Sequence, residues 1–378
     1  MPKLSRRAVC AAGASLLAGP ALGAQKAAPP PAAVTAGALL PLSGAFSLTG
    51  DECLRGMSLA VDEINAAGGV NGQALALVTG DAYGQDQAQP AAEALIAGHA
   101  GLILGSGASD LSYPGSAAAE LAQIPYIELN APADGICARG FRYLLRVCET
   151  TTMIAAVAAA TIGAKFPNAK LGLLFNTGAT GGATAAASVA ALKQAKIAPL
   201  LVIGYPEDTV DLREPVGRLK RAGAEAVLHA ANPGDTLLFF AALQEIGWRP
   251  EIIGCGAGYE YRETAYALGP AFDGTVTVAA PFYPPRAQYV AAAYLARYGM
   301  PPRAADSLTA FVGAKLVFDI LNTVGGDPSR LLDGLRKVDI PAGTLANGFG
   351  VAFDKTGQNT RSFATARQWR GQQLVALT

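Results

Sequence analysis

Strand-like and helix-like segments alternate along this chain in two successive sets, and no other feature restricts its fold as strongly. Val34 to Leu40 reads as a strand, and Leu54 to Ala66 as a helix whose apolar positions include Leu54, Met57, Val61 and Ile64. Gly68-Gly69 stops that helix, and Asn71-Gly72 turns the chain tightly. Leu75 to Thr79, Gly101 to Leu104 and Pro125 to Leu129 continue as strands, separated by helices at Ala88 to Ala97 and Ser112 to Ala122. Such alternation predicts a parallel sheet with helices on both faces.

A second set begins after Arg146. Helices are expected at 151–164, 183–195, 211–221 and 236–246, and strands at 170–175, 200–204, 226–230 and 251–254. Val276 to Ala280 leads into Phe282-Tyr283-Pro284-Pro285, a stiff aromatic crossover, followed by helices at 288–298 and 307–322. Gly350 to Phe353 and Ala364 to Trp369 read as a terminal hairpin joined by Lys355-Thr356-Gly357-Gln358. The fold class is therefore α/β, with two Rossmann-like lobes of parallel sheet joined by a three-stranded hinge. Lobe 1 takes residues 34–149 and 281–345, and lobe 2 takes 150–280 and 346–378. Ligands of open α/β sheets sit beyond the carboxyl ends of the strands, so two facing lobes make a cleft that closes like a hinge.

Balanced charge, with 29 Lys+Arg against 29 Asp+Glu in 378 residues, gives no field for nucleic acid or an anionic membrane. The start of the chain differs from the rest. Lys3, Arg6 and Arg7 precede an apolar run from Ala8 to Leu22 that ends in Ala21-Leu22-Gly23-Ala24. Residues 1–24 thus read as an export signal, either twin-arginine (Ser5-Arg6-Arg7) or ordinary secretory. The run is too short for the roughly 20 apolar residues of a membrane span. Pro29-Pro30-Pro31 stiffens a leader over 25–33. Export places the protein in an oxidising periplasm, where Cys137 and Cys148 are the expected disulfide, closing a short loop. Cys53 and Cys255 read as isolated thiols. No C-x-x-C pair exists and His99 and His229 stand apart, so neither a metal site nor a cofactor is expected.

Several segments carry a family resemblance. Gly37-Ala38-Leu39-Leu40-Pro41-Leu42-Ser43-Gly44 and Ala60-Val61-Asp62-Glu63-Ile64-Asn65-Ala66-Ala67-Gly68-Gly69-Val70-Asn71-Gly72 resemble the opening of the branched-chain amino-acid (Leu/Ile/Val)-type solute-binding family of ABC transporters. Gly140-Phe141-Arg142-Tyr143 with Arg146, and Phe353-Asp354-Lys355-Thr356-Gly357-Gln358-Asn359 with Gln368-Trp369, resemble its later segments, in order. The resemblance implies a periplasmic monomer that captures a small molecule and delivers it to permease subunits in the inner membrane. These glycines and polar residues also serve turns and caps, so they speak to the fold more than to the cargo.

The cleft is expected to be lined by the loops 41–50, 105–114 and 128–134 of lobe 1 and by their counterparts in lobe 2. Ser109 aligns with a serine that holds the carboxylate of amino-acid ligands in this family; it equally suits a helix N-cap. Other positions depart from the family pattern. Asn130 and Pro132 stand where a small residue and a threonine are usual, Thr180 replaces a tyrosine, Asn232 replaces an aromatic, and Gly256 falls where an acid grips the ligand ammonium. A branched-chain amino acid is therefore not the expected ligand. Phe46, Tyr83, Tyr259 and Phe282, with Ser109, Glu128, Asn130, Thr180 and Asn232, suggest a larger neutral or aromatic one. Glu128 either meets a cation or, the preferred reading, forms a salt bridge with Arg139, Arg142 or Arg146.

Catalysis has little support. No G-x-S-x-G elbow is present, and Gly105-Ser106-Gly107 and the 178–182 run lack both a Walker lysine and Rossmann spacing. A ligand sensor of the same fold, signalling to a membrane receptor, is the alternative to an importer component, and an amino-acid or amide binder is the alternative for the cargo.

Overall fold

The computed structural model describes residues 34–377. The export signal and leader expected over residues 1–33 lie outside them. Lobe 1 is built on a parallel sheet of β1 (Val34–Leu40), β2 (Leu75–Asp81), β3 (Leu102–Gly105), β4 (Tyr126–Glu128) and β5 (Leu144–Arg146), in the order β2-β1-β3-β4-β5. Between the strands run α1 (Ser47–Ala66), α2 (Gln85–Ala97), α3 (Ser109–Leu121) and the single turn α4 (Gly135–Ala138). β1 is buried almost throughout, as a central strand covered on both faces must be.

In lobe 2, α5 (Thr151–Lys165) starts at Thr150, whose side chain accepts the Met153 N–H at 3.1 Å. Then follow β6 (Leu171–Asn176), α6 (Ala179–Gln194), β7 (Leu201–Tyr205), α7 (Arg213–Arg221), β8 (Ala226–Ala230), α8 (Asp235–Glu245), β9 (Glu251–Cys255), α9 (Arg262–Leu268) and β10 (Val276–Ala279). The chain returns to the first sheet with α10 (Gln288–Tyr298), α11 (Asp306–Thr323) and α12 (Leu331–Arg336), and comes back to the second with β11 (Thr365–Arg370) and β12 (Gln373–Ala376). The second sheet has the order β12-β11-β10-β9-β8-β6-β7, parallel from β7 to β10 and antiparallel at β11 and β12.

Helices cover both faces of each sheet. α1, α10, α11 and α12 pack on one face of the first, and α2, α3 and α4 on the other. α7, α8 and α9 face α5 and α6 across the second. Contact between α1 and α11 depends on Gly56, since a Cβ there would run into the Ser307 carbonyl.

The expected terminal hairpin is corrected. β11 pairs with β10 and β12, while Val351 and Phe353 make only isolated bridges, to Ile340 and Asn359. The Lys355 to Gln358 turn instead returns the chain to the hinge. There the Arg146 N–H donates to the Gly357 carbonyl at 2.8 Å, and the Asn359 N–H donates to the Arg146 carbonyl at 2.9 Å. The Gln358 amide donates to the Cys148 carbonyl at 3.0 Å, and the Asn359 amide to that of Val147 at 3.1 Å. Two crossing segments are thereby bound side by side directly beneath the cleft.

The expected Cys137–Cys148 disulfide is absent: Cys53, Cys137, Cys148 and Cys255 are all free and buried. The Cys148 thiol points to the Ala131 carbonyl, 3.6 Å away. Burial pushes the Cys137 thiol up to about 11 and the Cys255 thiol up to about 12, and raises those of Cys53 and Cys148 well above the usual range.

Candidate ligand cavity between the lobes

α1, α3 and α6 each begin earlier than their apolar periodicity indicates, because Gly50, Pro114 and the Gly181-Gly182 pair dilute the first turns. This extension matters for the site. It turns Ser109 and Thr180 from loop residues into first-turn residues of two helices whose N-termini meet across the cleft. The Ser109 N–H donates to the Thr180 hydroxyl at 3.1 Å, and that hydroxyl donates to Asp110 Oδ2 at 3.1 Å. Asp110 Oδ1 accepts the Ala179 N–H at 2.6 Å. Further along the mouth, the Thr49 and Tyr261 hydroxyls bond to each other, Arg303 pairs with Glu263 at 2.8 Å, and Arg262 donates to the Pro301 and Pro302 carbonyls. The lobes stand closed.

Behind these contacts lies a cavity of about 90 Å³. At roughly 30 Å³ per water it has room for about three waters, or a small organic molecule. Lobe 1 contributes Phe46, Thr49, Asn130, Pro132, Asp306 and Thr309 to its wall. Lobe 2 contributes Ile154, Thr180, Thr184, Asn232, Ala257, Glu260 and Val278, and Glu149 of the hinge forms part of the lining. Most of the remaining lining is glycine and alanine, which brings backbone close to any occupant.

The polar atoms are lopsided. Asn130 Oδ1, Glu149 Oε2, Asn232 Oδ1, Asp306 Oδ2 and Thr309 Oγ1 are buried without a hydrogen-bond partner. The two amide oxygens only accept, and the two carboxyl oxygens do so when ionised. Asn130 is oriented by its amide N–H groups, which donate to the Asp306 carbonyl and to Asp306 Oδ1 at 3.2 and 3.4 Å. Glu260 is satisfied, paired with the buried Arg367 and accepting the Ala305 N–H at 3.3 Å. Burial, opposed by a backbone hydrogen bond and reinforced by the Glu260 charge, pushes the Glu149 carboxyl up to about 7. Burial and then the charges of Glu260, Glu52 and Glu149 hold Asp306 well above the carboxylate range. Unpaired acceptors of this kind cost free energy until a donor reaches them.

Four of the sequence-predicted residues line this cavity: Phe46, Asn130, Thr180 and Asn232. Ser109 lies just behind the wall, its hydroxyl accepting the Ala133 N–H at 3.1 Å. The other three are corrected. Tyr83 is 51% exposed on the outer surface, beside Gly44. Glu128 is fully buried and meets neither ligand nor arginine. Its Oε1 accepts the N–H groups of Ser106, Leu129, Asn130 and Ala131 at 2.6–3.0 Å, and the Ser106 hydroxyl donates to Oε2 at 3.0 Å. Arg146 turns instead to Gln358 and to the Ala131 and Ala133 carbonyls. Four converging amides satisfy a carboxylate without a counter-ion.

Tyr259 points away from the cavity into the core of lobe 2, stacked on Phe272 at 6.2 Å between centroids. Its hydroxyl lies 2.6 Å from His229 Nδ1; His229 Nε2 lies 2.7 Å from the Tyr205 hydroxyl, which donates to Asp235 Oδ2 at 2.9 Å. Because Tyr205 gives its proton to Asp235, the directions follow: Tyr259 donates to Nδ1, and Nε2–H donates to Tyr205. Asp235 also accepts the Asn232 N–H and an Asn176 amide N–H, both at 2.9 Å. Tyr259 therefore positions the cavity loop from behind. Phe282 likewise packs on Tyr283 and lies under Arg367, so the expected aromatic walls reduce to Phe46.

Glu149, Asp306 and Glu260 were missed. Each occupies a position with an ordinary local use, at a crossover, at the first residue of a helix, or after a short turn. The one available signal was an acid next to a crossover in a stretch otherwise apolar, Val147-Cys148-Glu149. Among the described residues no group of His, Cys, Asp and Glu is arranged to hold a metal ion.

A family model described as periplasmic binding protein matches residues 33–373. Leu/Ile/Val-binding protein homolog 8 of Brucella abortus is 36% identical over 361 residues, covering 90% of this chain and 89% of that one. The substrate-binding protein LivJ of Streptococcus pneumoniae, solved with isoleucine, superposes with a TM-score of 0.81 at 19% identity, covering 90% of this chain and 97% of that one. A solute-binding protein of R. palustris, solved with 4-hydroxybenzoate, gives 0.80 at 20% identity, covering 91% and 95%.

Proposed function

Because the chain belongs to the periplasmic binding protein family, whose Leu/Ile/Val-type members are substrate-binding proteins of ABC transporters, we propose that it is the periplasmic capture component of an importer, not an enzyme. Its job is to close two lobes on a small molecule and present the closed form to membrane permease subunits as a monomer. The observation that carries this reading is the buried cavity, lined from both lobes and from the hinge, whose acceptors have no partner within the protein.

The ligand is small and rich in hydrogen-bond donors, since four of the five orphaned atoms in the cavity wall are amide or carboxyl oxygens that accept once the carboxyls ionise. Large aromatic cargo does not suit a cavity with one aromatic wall residue. Isoleucine and 4-hydroxybenzoate, held by the two structural neighbours, both carry a carboxylate, and this cavity offers a carboxylate little. Leucine, isoleucine and valine are therefore expected to bind weakly or not at all.

Small-angle scattering tests the capture mechanism. Protein stripped of ligand by unfolding and refolding should have a larger radius of gyration than protein purified natively, and adding back the released small-molecule fraction should restore the compact form. Identical curves in all three states would remove hinge capture. A sensor role is distinguished by reconstitution: stimulation of a permease and ATPase encoded beside the gene supports import, and stimulation of a receptor kinase instead overturns it.

A further inference from the structure

Where carboxylate-bearing ligands would seek backbone N–H groups and helix N-termini, this protein has already placed carboxylates of its own. Asp110 caps the N-terminus of α6 through the Ala179 N–H, and Thr180 spends its proton on the same side chain. Glu128 consumes the Asn130 and Ala131 N–H groups, and the next residue in that loop, Pro132, has none. Arg367, the cation beside the cavity, is bound to Glu260. Arg367 keeps two unpaired nitrogens, Nε and Nη1, but is not part of the cavity wall, whereas Glu149 Oε2 and Asp306 Oδ2 are in the wall and unpaired. Glu149 is only 8% exposed, so bulk solvent barely reaches it.

We propose that the cavity selects small organic cations, with an ammonium, amidinium or guanidinium group held between Glu149 and Asp306 and its remaining N–H donors taken by Asn130 Oδ1 and Asn232 Oδ1. The inference rests on the capture role proposed above and names its substrate class. An isolated cation would be expensive to bury here without those two carboxylates. With them, each oxygen gains a charge-assisted bond and the net charge of the closed site falls. A zwitterionic amino acid satisfies the acids but finds, among the unpaired side-chain atoms of the wall, one donor for its own carboxylate, the Thr309 hydroxyl. Quaternary ammonium compounds are excluded on other grounds, because they have no N–H and need an aromatic cage, and Phe46 is the one aromatic side chain in the lining.

Calorimetry on ligand-stripped protein at pH 8 tests this with matched pairs: butyramidinium against butyramide, and butylammonium against butanol, with butyrate as the anion. At least one cation should bind, tenfold or more tighter than its neutral partner, with no heat from butyrate. E149Q and D306N should each cut that preference about tenfold while unfolding cooperatively. Equal or tighter binding of a neutral or anionic probe, no binding of either cation, or an undiminished preference in the double variant overturns the assignment. Mass spectrometry of the molecule released from natively purified protein separates the two readings. A cation supports both, a neutral or anionic molecule overturns the charge assignment and leaves capture standing, and no released molecule together with no closure on any probe removes both.

Discussion

The Asp110 carboxylate on lobe 1 accepts the backbone N–H of Ala179 on lobe 2 at 2.6 Å, so one side chain bridges two helix N-termini that face each other across the cleft. Each terminus carries about half a positive charge. Without an anion between them, closure would bring like poles together and leave the Ala179 N–H unpaired. Asp110→Ala should therefore favour the open form and weaken ligand binding by roughly tenfold or more, the 1.5–3 kcal/mol of a charge-assisted bond. Global stability should change little, because each helix keeps its own packing. The radius of gyration of ligand-bound protein reads the outcome; a variant that closes as tightly as wild type contradicts the latch.

Tyr259 carries the opposite expectation, stability before affinity. Tyr259→Ala removes a fully buried ring from a cluster with His229, Phe272 and the Trp369 indole, which donates to the Tyr259 carbonyl at 2.8 Å. A loss of about 3–5 kcal/mol is expected. Tyr259→Phe keeps the ring and leaves His229 Nδ1 without its donor, for about 1–3 kcal/mol. Urea unfolding measures both, and a Phe variant as stable as wild type would break the assigned relay. The same relay sets an acid limit. Burial lowers His229 to about 3, so its neutral form stabilises the fold above the unfolded value of 6.5. That stability is lost as pH falls from 6.5 through 3, on the order of 5 kcal/mol at most.

These two residues show what could be read from the chain and what could not. The strands were legible because buried parallel strands are continuous apolar runs, and β8 falls at 226–230 as expected. The helix starts were not, since Ala179-Thr180-Gly181-Gly182 has the composition of a loop, yet it forms a first turn whose Ala179 N–H and Thr180 hydroxyl meet Asp110 and Ser109 of lobe 1. Side-chain direction was harder still. Tyr259 follows Gly256 and Gly258 in a cleft-facing loop, yet its ring turns inward over Gly254, where even a Cβ would collide with it. Glu128 sits at a strand end in reach of arginines, and its partners are amides of its own loop together with Ser106 of the neighbouring one, which no spacing rule reveals. The cavity lining was recovered where position alone decides, as at Asn130 and Asn232, and missed where a buried charge decides.

Free thiols make a third expectation. Cys137 and Cys148 should be alkylated without reductant once the chain is unfolded, giving four labels on a chain that begins after residue 24. In the native state labelling should be slow, because every described thiol is buried and held protonated. Mass spectrometry after alkylation in denaturant counts them; two labels would mean a disulfide between the remaining pair.

Glu149 yields the sharpest pH prediction. Its carboxyl is raised from the ordinary 4.5 to about 7, chiefly by burial, with a backbone hydrogen bond opposing it, Glu260 adding negative charge, and Arg146 and Arg367 also opposing it. The folded, ligand-free protein holds this proton more tightly than the unfolded chain does. Its contribution is fully present below pH 4.5 and is lost as pH rises through 7, to about 3 kcal/mol by pH 8.5. Glu149→Gln keeps the shape without the charge, so ligand-free E149Q should melt higher than wild type at pH 8.5 and no higher at pH 4.5. Asp306, raised in the same direction, will leave part of the slope in place. Bound cation should abolish the difference in wild type, because an ionised Glu149 then has a partner. A melting-temperature gap between E149Q and wild type that stays constant from pH 4.5 to 8.5 would mean that Glu149 is already satisfied in the empty protein, and the need for a cationic ligand would go with it.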